Sequence, residues 1–108
     1  MSKNGMKEQD SPQEGVLTKE RVSTKEPPMY KVLLLNDDYT TMEFVVLILE
    51  TVFGKSRPEA ERVTLNVHQQ GSGIAGIYTK EVAETKIALV HQLSRQHEYP
   101  LKCVMEPS

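Results

Sequence analysis

Short apolar runs alternate along the chain with segments in which apolar residues recur at helical spacing. Residues 30–35 are almost wholly apolar and rich in β-forming types, which predicts a strand buried on both faces. Residues 73–78 form a second short strand, and the glycines within it indicate close approach of another part of the backbone. Apolar and polar side chains largely alternate over residues 101–106, which predicts a closing strand.

The first helix is predicted to run from Thr40 to Gly54. Thr40 and Glu43 have the spacing of a capping box, and glycine commonly follows the end of a helix. Only Glu43 and Glu50 interrupt its apolar surface with charge, so we expect this helix to be central and buried on most sides. Alternatively, its N-terminal turn lines a pocket, and both descriptions can hold for different ends of one helix.

Two further helices follow. Ser56 and Glu59 form a second capping box, and the helix that they open continues to about residue 70 and stops at Gly71. Thr79 caps a third helix of about four turns, which ends before Pro100. The order of elements is βααβαβ, so we predict an α+β domain with three helices packed on a three-stranded antiparallel sheet.

The N-terminal segment differs in composition from the rest of the chain. Residues 1–26 contain no aromatic residue and carry mixed charges, so this segment cannot offset the entropy of its own ordering. Two prolines then stiffen the entry to the folded part. We therefore divide the 108 residues into a disordered N-terminal extension, 1–27, and one core domain, 28–108.

Charge and cysteine content exclude several classes of protein. A net charge of −2 argues against general nucleic-acid binding, which needs a basic face. The single cysteine, Cys103, cannot form an internal disulfide, and its apolar surroundings in the sequence indicate buried packing rather than a nucleophile. No run resembles a signal peptide or the ~20 apolar residues of a membrane span. We expect a soluble, cytoplasmic monomer.

A polar cluster, Asn36-Asp37-Asp38, follows the first strand directly and could be an ordinary turn. A magnesium pocket like that of receiver domains would need more βα units than this chain can hold. A metal hydrolase would need further ligands, and His91 and His97 show no ligand spacing. No nucleophilic triad or glycine-rich phosphate loop can be placed either.

A further possibility for this cluster is recognition of a cation. Thr64, Val67 and His68 share one face of the second helix. A lone histidine near a helix end commonly interacts with the helix dipole. However, His68 together with Asn36 and Asp37 would also offer acceptors that match the three donors of an ammonium group.

Three segments of the chain closely resemble the ClpS family of ATP-dependent Clp protease adaptors: YKVLLLNDDYTTMEFVV, VHQQGSGIAGIYTKEVAETK and YPLKC. The resemblance extends over residues 28–106, essentially the whole folded part. It implies a non-catalytic adaptor of the bacterial N-degron pathway, with no cofactor. Such an adaptor binds proteins whose N-terminal residue is Leu, Phe, Tyr or Trp. It delivers them to the ClpAP protease by docking on the N-terminal domain of the ClpA unfoldase, and it modulates the substrate choice of ClpAP.

The resemblance also implies which residues carry the function. The α-amino contacts fall on Asn36, Asp37 and His68, and Met42 matches a gatekeeping methionine at the pocket rim. The side-chain pocket falls on Leu34, Asp38, Thr40, Met42, Val45, Thr64, Val67 and Leu101. Unfoldase docking falls on Glu81 and Lys86, with Glu84 close by, although these charges could equally belong to a solvated helical turn.

Two positions depart from the family pattern. Thr41 stands where the family usually has proline, and we expect little change because Thr40 still caps the helix. Thr64 stands where the best-known members have methionine. This wall of the pocket should therefore be roomier and slightly polar, which leaves the ranking of N-terminal residues open.

Two other functions remain compatible with the sequence. A metal-dependent enzyme could use Asp37, Asp38 and His68. Alternatively, the protein could redirect or inhibit its unfoldase without binding N-degrons. In the family that the chain resembles, the N-terminal extension is needed for substrate delivery, and we predict that peptide binding does not depend on it.

Overall fold

The structure is a computed structural model that describes residues 26–108. Strands and helices follow the predicted order βααβαβ, and their type confirms the predicted fold class. The elements are β1 (Met29–Leu35), α1 (Met42–Thr51), α2 (Arg57–Gln70), β2 (Ser72–Thr79), α3 (Lys80–Gln96) and β3 (Lys102–Pro107). The predicted extension, residues 1–27, lies outside the described residues except for Glu26 and Pro27, so its disorder stays a prediction.

Strand β1 is central in one antiparallel sheet of order β2-β1-β3. Val32 and Leu34 are 0% exposed and contribute one face of β1 to the core. Leu33, on the other face, is only half-buried, and its cross-strand neighbours Ile74 and Val104 are exposed. The prediction that β1 is buried on both faces is therefore wrong, because the helices cover one face of the sheet.

Glycine in β2 allows α2 to pack directly against the sheet. A Cβ atom at Gly73 would lie 2.8 Å from the Val67 Cγ2 atom and 3.2 Å from the Val63 carbonyl oxygen. A side chain at this position would push α2 away from the strand. The close backbone approach predicted from the glycines is thus confirmed at Gly73.

Helix α1 begins one residue later than predicted. Thr41, not Thr40, is the N-cap, and its hydroxyl accepts a hydrogen bond of 3.2 Å from the Phe44 N–H. The capping box predicted at Thr40 is wrong because the Thr40 hydroxyl donates to a carboxylate in the preceding loop instead. The helix ends at Thr51, before Gly54, whose φ of 67° is the left-handed conformation that favours glycine.

The ends of α2 confirm the prediction. The Ser56 hydroxyl accepts from the Glu59 N–H at 3.4 Å, and Gly71, with φ of 90°, donates its N–H to the Val67 carbonyl at the C-terminus. Helix α3 follows Thr79 as predicted, but the Thr79 side chain makes no capping bond, and 17 residues give α3 about 4.7 turns rather than four. None of the helices within residues 26–108 is long and apolar enough to cross a membrane.

The core lies between the sheet and the three helices, and α1 is central to it. Its buried residues are Phe44, Val45, Val46, Ile48 and Leu49. Cys103 is 2% exposed, and burial raises the pKa of its thiol to about 12, so the predicted packing role is confirmed. Met42 and Leu47 are exposed, which leaves part of the α1 surface open to solvent.

Candidate functional site

The loop between β1 and α1 is organised by the Asp37 carboxylate. Its Oδ1 atom accepts hydrogen bonds from the Tyr39 N–H at 2.8 Å and the Thr40 N–H at 2.7 Å. Its Oδ2 atom accepts from the Thr40 hydroxyl at 2.7 Å. The spacing of Asp37 and Thr40 is the signal that could have predicted this turn, since aspartate commonly bonds to backbone N–H groups two and three residues later.

These bonds change the acidity of Asp37. Partial burial alone would raise the pKa of its carboxyl group. The hydrogen bonds from the Thr40 hydroxyl, the Thr40 N–H and the Tyr39 N–H outweigh burial and lower the pKa below its ordinary value. Asp37 is therefore ionised at neutral pH and gives the loop a negative charge.

A backbone hydrogen bond joins this loop to the end of α2. The Asn36 N–H donates to the Gly71 carbonyl oxygen at 2.9 Å. Gly71 caps α2, and His68 lies in the last turn of that helix. The bond therefore brings Asn36 and His68 to the same part of the surface, although 32 positions separate them in the sequence.

A cavity of about 240 Å³ lies between this loop, the start of α1 and the C-terminal half of α2. It is lined by Asn36, Asp37, Asp38, Thr40, Met42, Val45, Thr64, Val67 and His68. All of these residues belong to the set that the family resemblance assigns to amine binding and to the side-chain pocket. The structure brings them together around one space, while their roles in binding stay predictions.

Two predicted pocket residues do not line this cavity. Leu34 is 0% and Leu101 is 3% exposed, and both belong to the hydrophobic core. Leu101 instead borders a separate cavity between α3 and β3. Both side chains contribute to the core of the domain rather than to the surface of the cavity.

The side chains that form the walls of the cavity differ in depth and in polarity. Met42 is 45% exposed, whereas Val45 and Val67 are buried, so methionine lies at the opening and the valines lie deeper. Thr64 is 3% exposed, and its hydroxyl donates to the Ala60 carbonyl at 2.7 Å. Because this proton is already used within α2, Thr64 makes the wall less polar than the sequence suggests.

The polar edge of the cavity suits a small cation. A carboxylate has about four acceptor positions, and the three bonds within the loop leave Asp37 with about one of them. The Asn36 amide oxygen and a His68 ring nitrogen supply two further acceptors. An ammonium group has three donors, so this edge and the apolar base together fit a primary amine that carries an apolar side chain.

A metal centre does not fit the same residues. Within the described part of the chain, no group of three or more His, Cys, Asp and Glu side chains is placed so that it could hold a metal ion. His91 accepts a hydrogen bond from the Cys103 N–H at 3.1 Å, and the His97 ring lies 5.1 Å from that of Phe44. Both of these histidines therefore have structural partners.

Sequence comparisons assign the chain to a family. The model of the family "ATP-dependent Clp protease adaptor protein ClpS" matches residues 25–104. The chain belongs to the ClpS family. A ClpS from Hyphomonas neptunium is 62% identical over 89 residues, which cover 82% of this chain and 75% of that protein. A ClpS from Desulfatibacillum aliphaticivorans is 61% identical over 92 residues, covering 85% of this chain and 88% of that protein.

A solved structure of a ClpS protein has the same fold. Agrobacterium tumefaciens ClpS2, in a structure described as bound to L-phenylalaninamide, matches 77% of this chain and 100% of its own. The TM-score is 0.74 and the sequence identity is 38%. Members of the ClpS family are adaptors of a Clp protease, and this chain shares their fold and most of their length.

One of the residues that the ClpS resemblance assigns to unfoldase docking, Lys86, contacts the C-terminal end of α1. Glu81 and Glu84 are exposed on α3. Lys86 is half-buried, donates from Nζ to the Val52 carbonyl at 2.7 Å and lies 5.6 Å from the centre of the Tyr78 ring. Docking by these residues stays a prediction, but Lys86 also has a structural role, which no local sequence pattern indicated.

Proposed function

We propose that this protein is a non-catalytic adaptor that binds proteins with an N-terminal Leu, Phe, Tyr or Trp. It delivers them to the ClpA unfoldase of the ClpAP protease for degradation and so modulates the substrate choice of ClpAP. In this proposal the protein acts as a cytoplasmic monomer without a cofactor.

One observation carries the proposal. The cavity of about 240 Å³ combines a polar edge with an apolar base. The edge offers oxygen and nitrogen acceptors from Asn36, Asp37 and His68, and Val45 and Val67 line the base. The N-terminal residue of a protein presents the matching pair of groups, an α-ammonium and a side chain on the same carbon atom.

The energies of the ammonium hydrogen bonds and of side-chain burial support selective binding. Charge-assisted hydrogen bonds from the ammonium contribute about 1.5–3 kcal/mol each. Burial of a large apolar side chain contributes roughly 1.5–3 kcal/mol. After the cost of association, the sum supports a Kd of about 1 μM.

The ammonium also explains how internal residues would be rejected. An internal or acetylated residue has an amide in place of the charged amine, so the ionised Asp37 carboxylate would lose its cationic partner. Sites whose polar groups are left unpaired discriminate against such analogues by up to ~10⁴-fold. A small pocket could therefore recognise the end of a chain and ignore every internal leucine.

The ligand named for the solved relative supports this choice of substrate. L-phenylalaninamide carries an aromatic side chain and an α-amine, and an amide replaces its carboxylate. It is thus chemically similar to the first residue of a peptide. The cavity in this chain has acceptors for the amine and apolar residues for the ring.

The test is a fluorescence-anisotropy titration with peptides that differ only in the first residue, each with a free and an acetylated amine. Peptides that begin with Leu, Phe, Tyr or Trp should bind with a Kd of about 1 μM, and acetylation should weaken binding by at least about 100-fold. Equal binding of free and acetylated peptides would refute recognition of the amine. Absence of peptide binding, with unfoldase binding intact, would instead indicate an adaptor that only redirects its unfoldase.

Delivery requires a separate assay with the unfoldase and protease. Replacement of the exposed Glu81 by alanine should weaken unfoldase binding and slow degradation of N-degron substrates while peptide affinity stays unchanged. Deletion of residues 2–26 should likewise spare peptide binding and impair degradation. Full degradation by both variants would contradict this part of the proposal.

A further inference from the structure

A second depression lies beside the candidate pocket, between α1 and α2. It has a volume of about 270 Å³, close to the 240 Å³ of the pocket. Its lining residues are Met42, Glu43, Val46, Arg57, Glu61, Thr64 and Leu65. We call it the α1–α2 groove.

The groove is continuous with the pocket. Met42 and Thr64 line both spaces, so the two spaces are separated by little more than the Met42 side chain at the surface. Leu65, on the far side of Met42, is 45% exposed, as is Met42 itself. The ion pair between Arg57 and Glu61, with 3.0 Å between Nε and Oε2, limits the groove at another side.

The chemistry of the pocket determines the direction in which a bound chain leaves it. The amine and the carbonyl carbon are different substituents of the same tetrahedral Cα atom. When the amine contacts Asn36 and Asp37 and the side chain enters the pocket, the carbonyl carbon takes a third tetrahedral direction, away from both. Met42 and Thr64 line both the pocket and the groove and belong to α1 and α2 rather than to the β1–α1 loop, so the groove begins beside them.

The spacing of side chains in an extended peptide matches this arrangement. First and third side chains lie on the same side of an extended chain, roughly 6.5–7 Å apart, and the second points to the opposite side. A peptide whose first side chain fills the pocket would therefore place its third side chain beyond Met42. Exposed Leu65 and buried Val46 offer an apolar surface there.

We infer that the α1–α2 groove binds the side chain of the third substrate residue and favours an apolar one. The inference rests on the proposed function, because it needs the first residue to occupy the pocket. The protein then recognises two side chains of an N-degron rather than one, with Met42 as the wall between them.

A bound peptide could also leave the pocket on the opposite side of the loop. A cavity of about 490 Å³ is lined by the Asn36–Asp38 segment together with Leu35, Tyr39, Pro100 and Lys102. A chain that entered it from the pocket would pass over Asn36, Asp37 and Asp38, which line both cavities. The tetrahedral geometry at the first Cα atom therefore favours the groove.

The test uses peptides that carry a fluorescein at the C-terminus, begin with phenylalanine and have serine in second place. The third residue is leucine in one peptide and serine in the other, and each is prepared with a free and an acetylated amine. The leucine peptide should bind the wild type about five- to tenfold more tightly, from burial of one apolar side chain. Leu65→Ser should reduce this preference to about twofold or less while leaving the affinity for the serine peptide unchanged.

Leu89→Ser provides the matched control, since Leu89 is a leucine of similar exposure, 42%, on α3. It should keep the full preference for leucine in third place. Equal affinities of the two free-amine peptides for the wild type, or a preference that survives Leu65→Ser, would overturn the inference and leave amine recognition standing. Binding that is insensitive to acetylation would overturn the proposed function and, with it, the inference.

Discussion

The two ends of α1 are each held by a charged side chain, but in different ways. Before the N-terminal end, the Asp37 carboxylate accepts three hydrogen bonds from Tyr39 and Thr40, all within three residues. After the C-terminal end, the Lys86 ammonium donates to the Val52 carbonyl across 34 positions of sequence. The ten residues of α1 separate these ends by roughly 15 Å.

The difference shows which of the two charged groups remains available to bind a ligand. Asp37 keeps about one acceptor position free, borders a cavity and belongs to a loop whose shape it determines itself. The ammonium of Lys86 joins α3 to the end of α1 and is half-buried. We therefore expect changes at the first end to act on binding and changes at the second end to act on stability.

The largest effect on binding should come from Asp37→Ala. The change removes the negative charge beside the amine and the acceptor that shapes the loop, so affinity for peptides that begin with phenylalanine should fall at least about tenfold. The free energy of unfolding should fall by only about 0.5–2 kcal/mol, similar to the loss of other side chains that accept hydrogen bonds from nearby backbone N–H groups. Anisotropy titrations and urea denaturation measure the two effects.

Asp38→Ala tests whether this effect is specific to Asp37. Asp38 also borders the cavity but is exposed, and it is not the carboxylate that holds the loop. Its removal should change peptide affinity by less than about threefold, in line with the small energies of exposed charges. Equal losses from the two alanine variants would contradict the distinct role that we assign to Asp37.

The opposite pattern is expected at the other end of α1. Lys86→Met keeps most of the apolar stem and leaves the Val52 carbonyl without its donor, so the free energy of unfolding should fall by about 1–3 kcal/mol. Lys80→Met, the same change at an exposed position of α3, should stay within about 0.5 kcal/mol of the wild type. Peptide affinity should be unaffected in both. An unchanged melting curve for Lys86→Met would show that its ammonium is free to act elsewhere.

The sequence predicted the fold well because helix and strand periodicity reflect burial on one face of each element. The ends of α2 were predicted correctly, since Ser56 and Gly71 act through their immediate neighbours. The cap of α1 was wrong because Thr40 and Thr41 are adjacent and both can cap a helix. The competing acceptor at Asp37 decided between them, and local pattern alone does not rank these two bonds.

The residues around the candidate site could be named mainly because long segments of the chain resemble a family. Spacing along one helix related Thr64 to His68, but it could not relate either residue to Asn36. That relation depends on the bond from Asn36 to Gly71, a contact between distant segments. The tether from Lys86 to Val52 was missed for the same reason, since a lysine in a helix carries no signal of its acceptor.

A change at the opening of the pocket should alter selectivity rather than overall strength. Met42→Ala widens the opening, so peptides that begin with Ile or Val, which carry bulk at Cβ, should bind about fivefold more tightly or better. Leu47→Ala is the control, because Leu47 is similarly exposed on α1 but does not line the cavity. Unchanged discrimination in anisotropy titrations with Met42→Ala would count against a gatekeeping role.

A smaller effect is expected at Thr64. Thr64→Met should fill part of the cavity and change the relative affinities for Leu, Phe, Tyr and Trp by about threefold. Thr64→Val removes only the hydroxyl that bonds to the Ala60 carbonyl, so it should leave the ranking unchanged. Identical rankings in the wild type and Thr64→Met would mean that this wall does not contribute to selectivity.

The smallest expected effect is the contribution of Asp37 to the pH dependence of stability. Because its hydrogen bonds lower the pKa of Asp37 in the folded state, ionisation of this group stabilises the fold at any pH above its unfolded pKa of about 3.9. That stabilisation is lost as the pH falls from about 4 through the folded pKa. Asp37→Asn cannot ionise at this position. The free energy of unfolding of the wild type should exceed that of Asp37→Asn by less than about 1 kcal/mol, because the loop is exposed. Urea denaturation should show that this difference shrinks between about pH 5 and pH 3. A difference that stays constant would contradict the stabilising role of the hydrogen bonds to Asp37.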